Sequence, residues 1–406
     1  MRISGEMLRC LAIAIAVGST AFAQAPPNRC NQPTPEAVAY VELPVPFAAI
    51  PSSDGCWIFA SVSRPNGIAV LEREGGRITQ RRIIPTGGSG WGTGGSVWGM
   101  VLTHDGQMLL AVGEGRVVFV DVPRARSGDG DPVLGDLVYD RSAESVQVNV
   151  TADDRYAFVS DERRQRITVI DLARARSSRF SPASVVGSIP VGWSPVALRF
   201  SPDDRFLYAT SQASLASSKW PNECESQGAD PTRPRFFTPQ GAIHVIDVER
   251  AKSDPVHAVI ATVPAGCAPV RLAIAPKGDF VYVTARHSDL LLVFDTRKLT
   301  ADPEHARVAA IPVGVRPVGV AVADGGRLIF VANGNDLRAP TDKQSVTVID
   351  AARVLEGAAA VIGRVPAGAF PREVHVTADG RTVLLANSNS NTLQLIDVTR
   401  RPWSVR

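Results

Sequence analysis

Polar side chains recur at matching places inside otherwise apolar segments of this chain. They are Gln147 and Asn149, Arg199, Arg271, and Glu373 with His375 two residues on. A guanidinium presents parallel donors that fit a carboxylate or a carbonyl oxygen. A glutamate or an imidazole can take a proton from water as general base. Brought together, they would suit a small anionic or lactone-like ligand. Arg271 and Arg199 would bind it beside Gln147 and Asn149, and Glu373 or His375 would activate water. The plainer reading, preferred here, is that these groups solvate a channel and satisfy one another, because a fold alone does not specify an activity. Trp91, in the glycine-rich stretch from Thr86 to Gly95, is a candidate contact residue over such a site. That stretch lacks the lysine and following helix of a phosphate loop.

Such residues, scattered over more than 200 positions, can meet only if a repeated architecture carries them to one axis. The segment Ile189-Pro190-Val191-Gly192 leads into the apolar run Val196 to Phe200. Then come the turn Ser201-Pro202-Asp203-Asp204-Arg205, the strand Phe206 to Thr210, and the strand Ala242 to Asp247. Seven variants of this unit follow one another. Their strand-ending aspartates Asp121, Asp171, Asp247, Asp295, Asp350 and Asp397 lie 50, 76, 48, 55 and 47 residues apart by subtraction. Units of this length with four short strands predict a seven-bladed β-propeller. The long interval holds an insertion, residues 212–240, expected on the top face of the fourth blade. No stretch sustains a helical period, so few helices are expected.

The last unit stops one strand short. Val38 to Val45 precedes the first inner strand and can supply the missing outer strand, so that head and tail share a blade. This topology also tests the cysteines. Cys30 and Cys56 both fall at the bottom, whereas Cys224 and Cys267 both fall on top, which predicts those two disulfides. Each removes roughly 3–4 kcal/mol of denatured-chain entropy in the simple loop-closure model.

The pieces Tyr282-Val283-Thr284-Ala285, Phe330-Val331-Ala332-Asn333, Pro-Val-Gly, Ser-Pro-Asp-Asp-Arg and Val-Ile-Asp resemble the YVTN-type, YncE-like seven-bladed propeller family along the whole mature chain. The resemblance implies an exported propeller. Its wider relatives include lactonases, the haem-binding propeller of dissimilatory nitrite reductase, and propellers accompanying quinone-dependent dehydrogenases.

Residues 1–23 read as a signal peptide. Arg2 and Arg9 flank a short n-region, Leu11 to Val17 is an uninterrupted apolar run, and Ala21-Phe22-Ala23 suits the peptidase. The mature chain, residues 24–406, is expected to be periplasmic or secreted, without a membrane span. Of the five cysteines, Cys10 lies in the expected signal peptide, and the four that remain, an even number in an exported chain, agree with two disulfides. Lysine plus arginine total 43 against 40 acidic residues, a net charge of +3, which gives no reason to expect nucleic acid. The six histidines form no metal-binding spacing and no Cys-x-x-Cys-His occurs, so no cofactor is expected. Asn333 to Asp336 and Asn387 to Asn391 offer oxygens but match no calcium loop. The expectation is a monomeric binding propeller presenting its top face and channel to a protein or small anionic ligand. The alternative is a lactonase-like hydrolase or isomerase using Glu373 and His375, and a haem- or quinone-binding accessory is the weakest reading.

Overall fold

The computed structural model describes residues 29–87, 95–215, 218, 220, 223–224, 240–334 and 344–404. The expected signal peptide, Trp91 and most of the 212–240 insertion lie outside the described residues. Twenty-eight strands, β1 to β28 in chain order, form seven four-stranded antiparallel sheets. Six of these blades take consecutive strands. Their inner strands are β2 (Pro46–Pro51), β6 (Met100–Leu102), β10 (Ser145–Val150), β14 (Trp193–Phe200), β18 (Pro269–Ile274) and β22 (Val320–Ala323). The seventh blade joins β26 (Pro371–Val376), β27 (Thr382–Asn387) and β28 (Thr392–Asp397) to β1 (Val38–Glu42), in the order β1-β28-β27-β26. Ala39 lies opposite Leu395 and Tyr40 opposite Gln394. The N-terminal segment therefore closes the ring as the sequence predicts.

The junction is fastened on its lower side. Cys30 is bonded to Cys56, with Cα atoms 4.6 Å apart. Arg73, only 2% exposed, donates to the Gln32 carbonyl and to Thr382 Oγ1 in the seventh blade. The second disulfide, Cys224–Cys267, ties the insertion to the connection entering the fifth blade. Both pairings are those the topology predicts.

Alternating apolar residues of successive sheets fill the gaps between blades. One packed cluster joins Leu384, Leu393 and Leu395 of the last blade to Ile58, Ala60 and Leu71 of the first. Sequence periodicity missed three six-residue helices, α1 (Val122–Ser127), α2 (Leu172–Ser177) and α3 (Val248–Ser253). Each is capped by the aspartate that ends the preceding strand: Asp121, Asp171 and Asp247 accept from the backbone N–H three residues on, at 2.9 Å. A helix of under two turns is too short to show a period, but Asp at its N-cap is the expected signal. No helix among the described residues is long and apolar enough to cross a membrane.

Candidate functional site

Every blade contributes its inner strand to the channel wall, and a hydroxyl sets how four of those strands sit. Ser61, Ser160, Thr210 and Thr284, on second strands, accept from the inner-strand N–H of Ala48, Gln147, Ala197 and Arg271 in their own blades. The same hydroxyls donate onward to the carbonyls of Trp98, Val196, Val270 and Val318 in the next blades. One small side chain thus stitches two blades at the axis. In these four blades the inner strand carries a register shift at this place. A bulge re-aims a side chain that strict alternation would turn away. Val270 and Arg271, adjacent in sequence, therefore both line the central cavity.

The bulge at Arg271 has its partner two blades away. Arg271 donates through Nε, and approaches through Nη2, to Oε1 of Glu373, and both residues are 5% exposed. The pair must cross the sixth blade, and the residue there is Gly319. A Cβ on Gly319 would sit 2.3 Å from the Arg372 carbonyl and 2.6 Å from Val374 Cγ2. Glycine at 319 lets the seventh inner strand approach closely enough for the ion pair to form. Burial pushes the Glu373 carboxyl up, but the Arg271 charge and hydrogen bond outweigh it and hold the group below its ordinary range. Glu373 is therefore an anion committed to a guanidinium.

One strand step lower lie Arg199 and His375, both half-buried. Burial drives the His375 pKa down to about 4; Glu373 opposes this, while Arg199 and Arg271 reinforce it. The imidazole is neutral at pH 7. Burial likewise lowers the Arg199 pKa, Glu373 raises it and Arg271 lowers it again. Arg199 Nη1 donates to the Leu198 carbonyl at 2.9 Å, and Arg199 enters no ion pair among the described residues. Gln147 Oε1 accepts from Leu198 N–H at 3.0 Å, and Asn149 Nδ2 donates to the Leu198 carbonyl at 2.5 Å. These two amides join the third blade to the fourth. The structure thus gathers Arg199, Arg271, Glu373 and His375 into one electrostatic group, with Gln147 and Asn149 on the neighbouring wall.

Sequence reasoning missed what lies above. One residue per blade forms an apolar collar: Phe47, Trp98, Val146, Val196, Val270 and Val318, completed by Arg372. The Arg372 guanidinium lies 4.7 Å from the ring centroids of both Phe47 and Phe370. Inside the collar is a chamber of about 100 Å³, with Arg271 at its floor and Glu144, Glu162, Gln212 and Arg286 at its mouth. The signal was available: each collar residue immediately precedes the position that carries Arg271 or Glu373. A larger groove of about 630 Å³ follows the outer part of the sixth blade. Its Arg327 and Arg353 are matched by Asp324 and Glu356, and no channel residue lines it.

Among the described residues no cluster of His, Cys, Asp or Glu could hold a metal. Asn333 spends its amide inside its own blade, donating to the Val331 carbonyl and Thr347 Oγ1. Asn391 Oδ1 accepts from Val45 N–H. Both oxygen-rich stretches thus contain turn and latch residues; Asn335 and Asp336 lie outside the described residues.

Sheet order, ring closure and the converging inner strands define the molecule as a seven-bladed β-propeller. Residues 146–316 match the family model described as "Lactonase, 7-bladed beta-propeller". Among solved structures the chain is similar to Kuenenia stuttgartiensis hydrazine synthase, at TM-score 0.64 and 16% identity over 88% of this chain and 96% of that one. It is also similar to the β-propeller domain of Myceliophteria thermophila Cps50 (Swd1), at TM-score 0.61 and 10% identity, covering 91% of this chain and all of the other. At such identities these likenesses speak for the fold. No curated protein matches the chain in sequence.

Proposed function

We propose that this is an exported binding propeller of the YVTN type, which takes a small anionic ligand into the lower half of its central channel without turning it over. The observation that carries the reading is the charge balance around Arg199. Arg271 and Glu373 answer each other, His375 is neutral, and among the described residues the guanidinium of Arg199 is left with a backbone carbonyl. A half-buried positive charge in a narrow polar channel attracts an anion more strongly than the same charge at the surface. Two disulfides and the signal-like N-terminus support export. The near balance of charge gives no reason to expect a nucleic-acid partner.

Calorimetric titration with acetate, succinate and inorganic phosphate tests the reading. At least one should bind, and Arg199→Ala should weaken it tenfold or more, about 1.4 kcal/mol. Silence from all three would remove the proposal. The lactonase-like alternative is favoured by the family match over 146–316 and by Glu373 beside His375. Against it stands the Glu373 carboxylate, which Arg271 already occupies and whose lowered pKa makes it a weak base. Turnover of γ- or δ-lactones, lost in both Glu373→Gln and Arg271→Ala, would replace binding with catalysis.

A further inference from the structure

The chamber inside the collar differs from the lower channel in carrying both signs of charge at its mouth. Glu144 and Glu162 stand on the third-blade side, and Arg286 and Arg372 on the fifth- and seventh-blade side. Gln212 links the two: its Nε2 donates to Glu162 Oε1 at 2.9 Å, and its Oε1 accepts from Arg286 Nη2 at 3.0 Å. This line of bonds across three blades fixes the polar groups around an apolar throat. Burial, then Glu144, raise the Glu162 pKa; burial, then Arg271, lower that of Arg372 to about 10. A cation at the first wall and an anion at the second would each relieve the group it meets.

We infer that the collar chamber binds a small zwitterion, a free α-amino acid with a short apolar side chain. Its ammonium meets Glu162, its carboxylate meets Arg372 and Arg286, and its side chain enters the throat between Trp98, Val196 and Val318. The volume sets the size. A dry cavity of roughly 150 Å³ accommodates the six carbons of benzene. A chamber of about 100 Å³, with Glu144, Glu162, Gln212 and Arg286 at the mouth and Arg271 at the floor, matches alanine better than any larger residue. A lone carboxylate or amine of equal size would meet only one of the two walls. The site stands apart from the anion proposal, since Arg199, Glu373 and His375 do not line it.

Calorimetry on the full chain carrying Arg199→Ala, which removes the anion site of the lower channel, with L-alanine, and with propanoate and ethylamine as one-headed analogues, tests this. L-Alanine should bind at least tenfold more tightly than either analogue. Glu162→Gln should weaken L-alanine tenfold or more. Val318→Leu, which fills the throat without touching a charge, should weaken it at least as much, with folding of each variant checked by thermal melting. Arg124→Ala, on α1 at the far face, should leave the isotherm unchanged. Propanoate binding as tightly as L-alanine would overturn the inference. So would an isotherm indifferent to Glu162→Gln, or silence from glycine, alanine, serine and valine alike.

Discussion

The third to fifth blades and the sixth and seventh build the same channel wall by different means. On the first side, Ser160, Thr210 and Thr284 span the gap between neighbouring inner strands. On the second side the corresponding positions are Ala332 and Ala386, which have no hydroxyl to offer. There the sixth blade pairs directly through its backbone, Val318 N–H to Ala332 C=O and Ala332 N–H to Gly319 C=O, and Gly319 admits the seventh strand at close range. The Arg271–Glu373 pair then joins the two styles across that gap. Where a short hydroxyl sets blade spacing, the wall can carry long side chains. Where close backbone approach sets it, as in the sixth blade, the wall carries glycine at 319, and the long-range Arg271–Glu373 ion pair takes over the tie.

The comparison can be broken most sharply at the pair itself. Glu373→Ala leaves Arg271 as an uncompensated buried charge and should cost about 3–5 kcal/mol in urea unfolding. A loss below about 1 kcal/mol would show that the pair is not the tie. Next comes acid. His244 in the fourth blade is 3% exposed, with Nε2 accepting from Gly192 N–H and 3.0 Å from Ser211 Oγ. Burial lowers its pKa from 6.5 to about 4. The folded state thus resists a proton that the unfolded chain accepts. Stability is unaffected above pH 6.5, falls as pH drops from 6.5 to about 4, and loses about 3 kcal/mol in all. In the sixth blade the same latch, on Gly314 N–H, is Asn333, which does not titrate. Melting temperature should therefore fall less steeply with pH in this window in His244→Asn, the remaining slope coming from His375 and His287, whose pKa values burial also lowers to about 4; an unchanged slope would count against the assignment.

Smaller effects refine the picture. Gly319→Val forces its side chain against backbone and should cost about 1–3 kcal/mol. It should also loosen Glu373, seen as weaker carboxylate binding in the channel; full tolerance would mean that close approach is not required. Thr284→Val removes a bridging hydroxyl and leaves the Arg271 N–H and the Val318 carbonyl without it, for about 1–2 kcal/mol. The reverse change, Ala332→Thr, should gain nothing, because the backbone already pairs there. A gain of equal size would mean that the two styles are interchangeable.

The ring was legible because its signal is repeated. Each copy of strand, Asp-Gly or Asp-Asp turn and Val-Ile-Asp ending reinforces the others, and the missing last strand points to Val38 onward. The cysteine pairs followed from topology alone. The convergence of Arg199, Arg271, Glu373 and His375 was visible as aligned positions, but the Arg271–Glu373 bond was not. The two residues are 102 positions apart, and what permits their contact is an absent side chain at 319. The collar escaped notice for a related reason. Val146, Val196 and Val270 read as ordinary strand residues until a register shift turns them and their successors to the same side. The capping role of Asp121, Asp171 and Asp247 was hidden by helices shorter than any period.

The seam in the last sheet also orders events in time. β1 is synthesised early, yet its hydrogen-bonding mate, β28, is made more than 300 residues later. Until that mate arrives, the cross-link to Cys56 can moor the waiting segment beside the first blade, where it will be needed. The circle is therefore completed last, by the two stretches that were synthesised furthest apart.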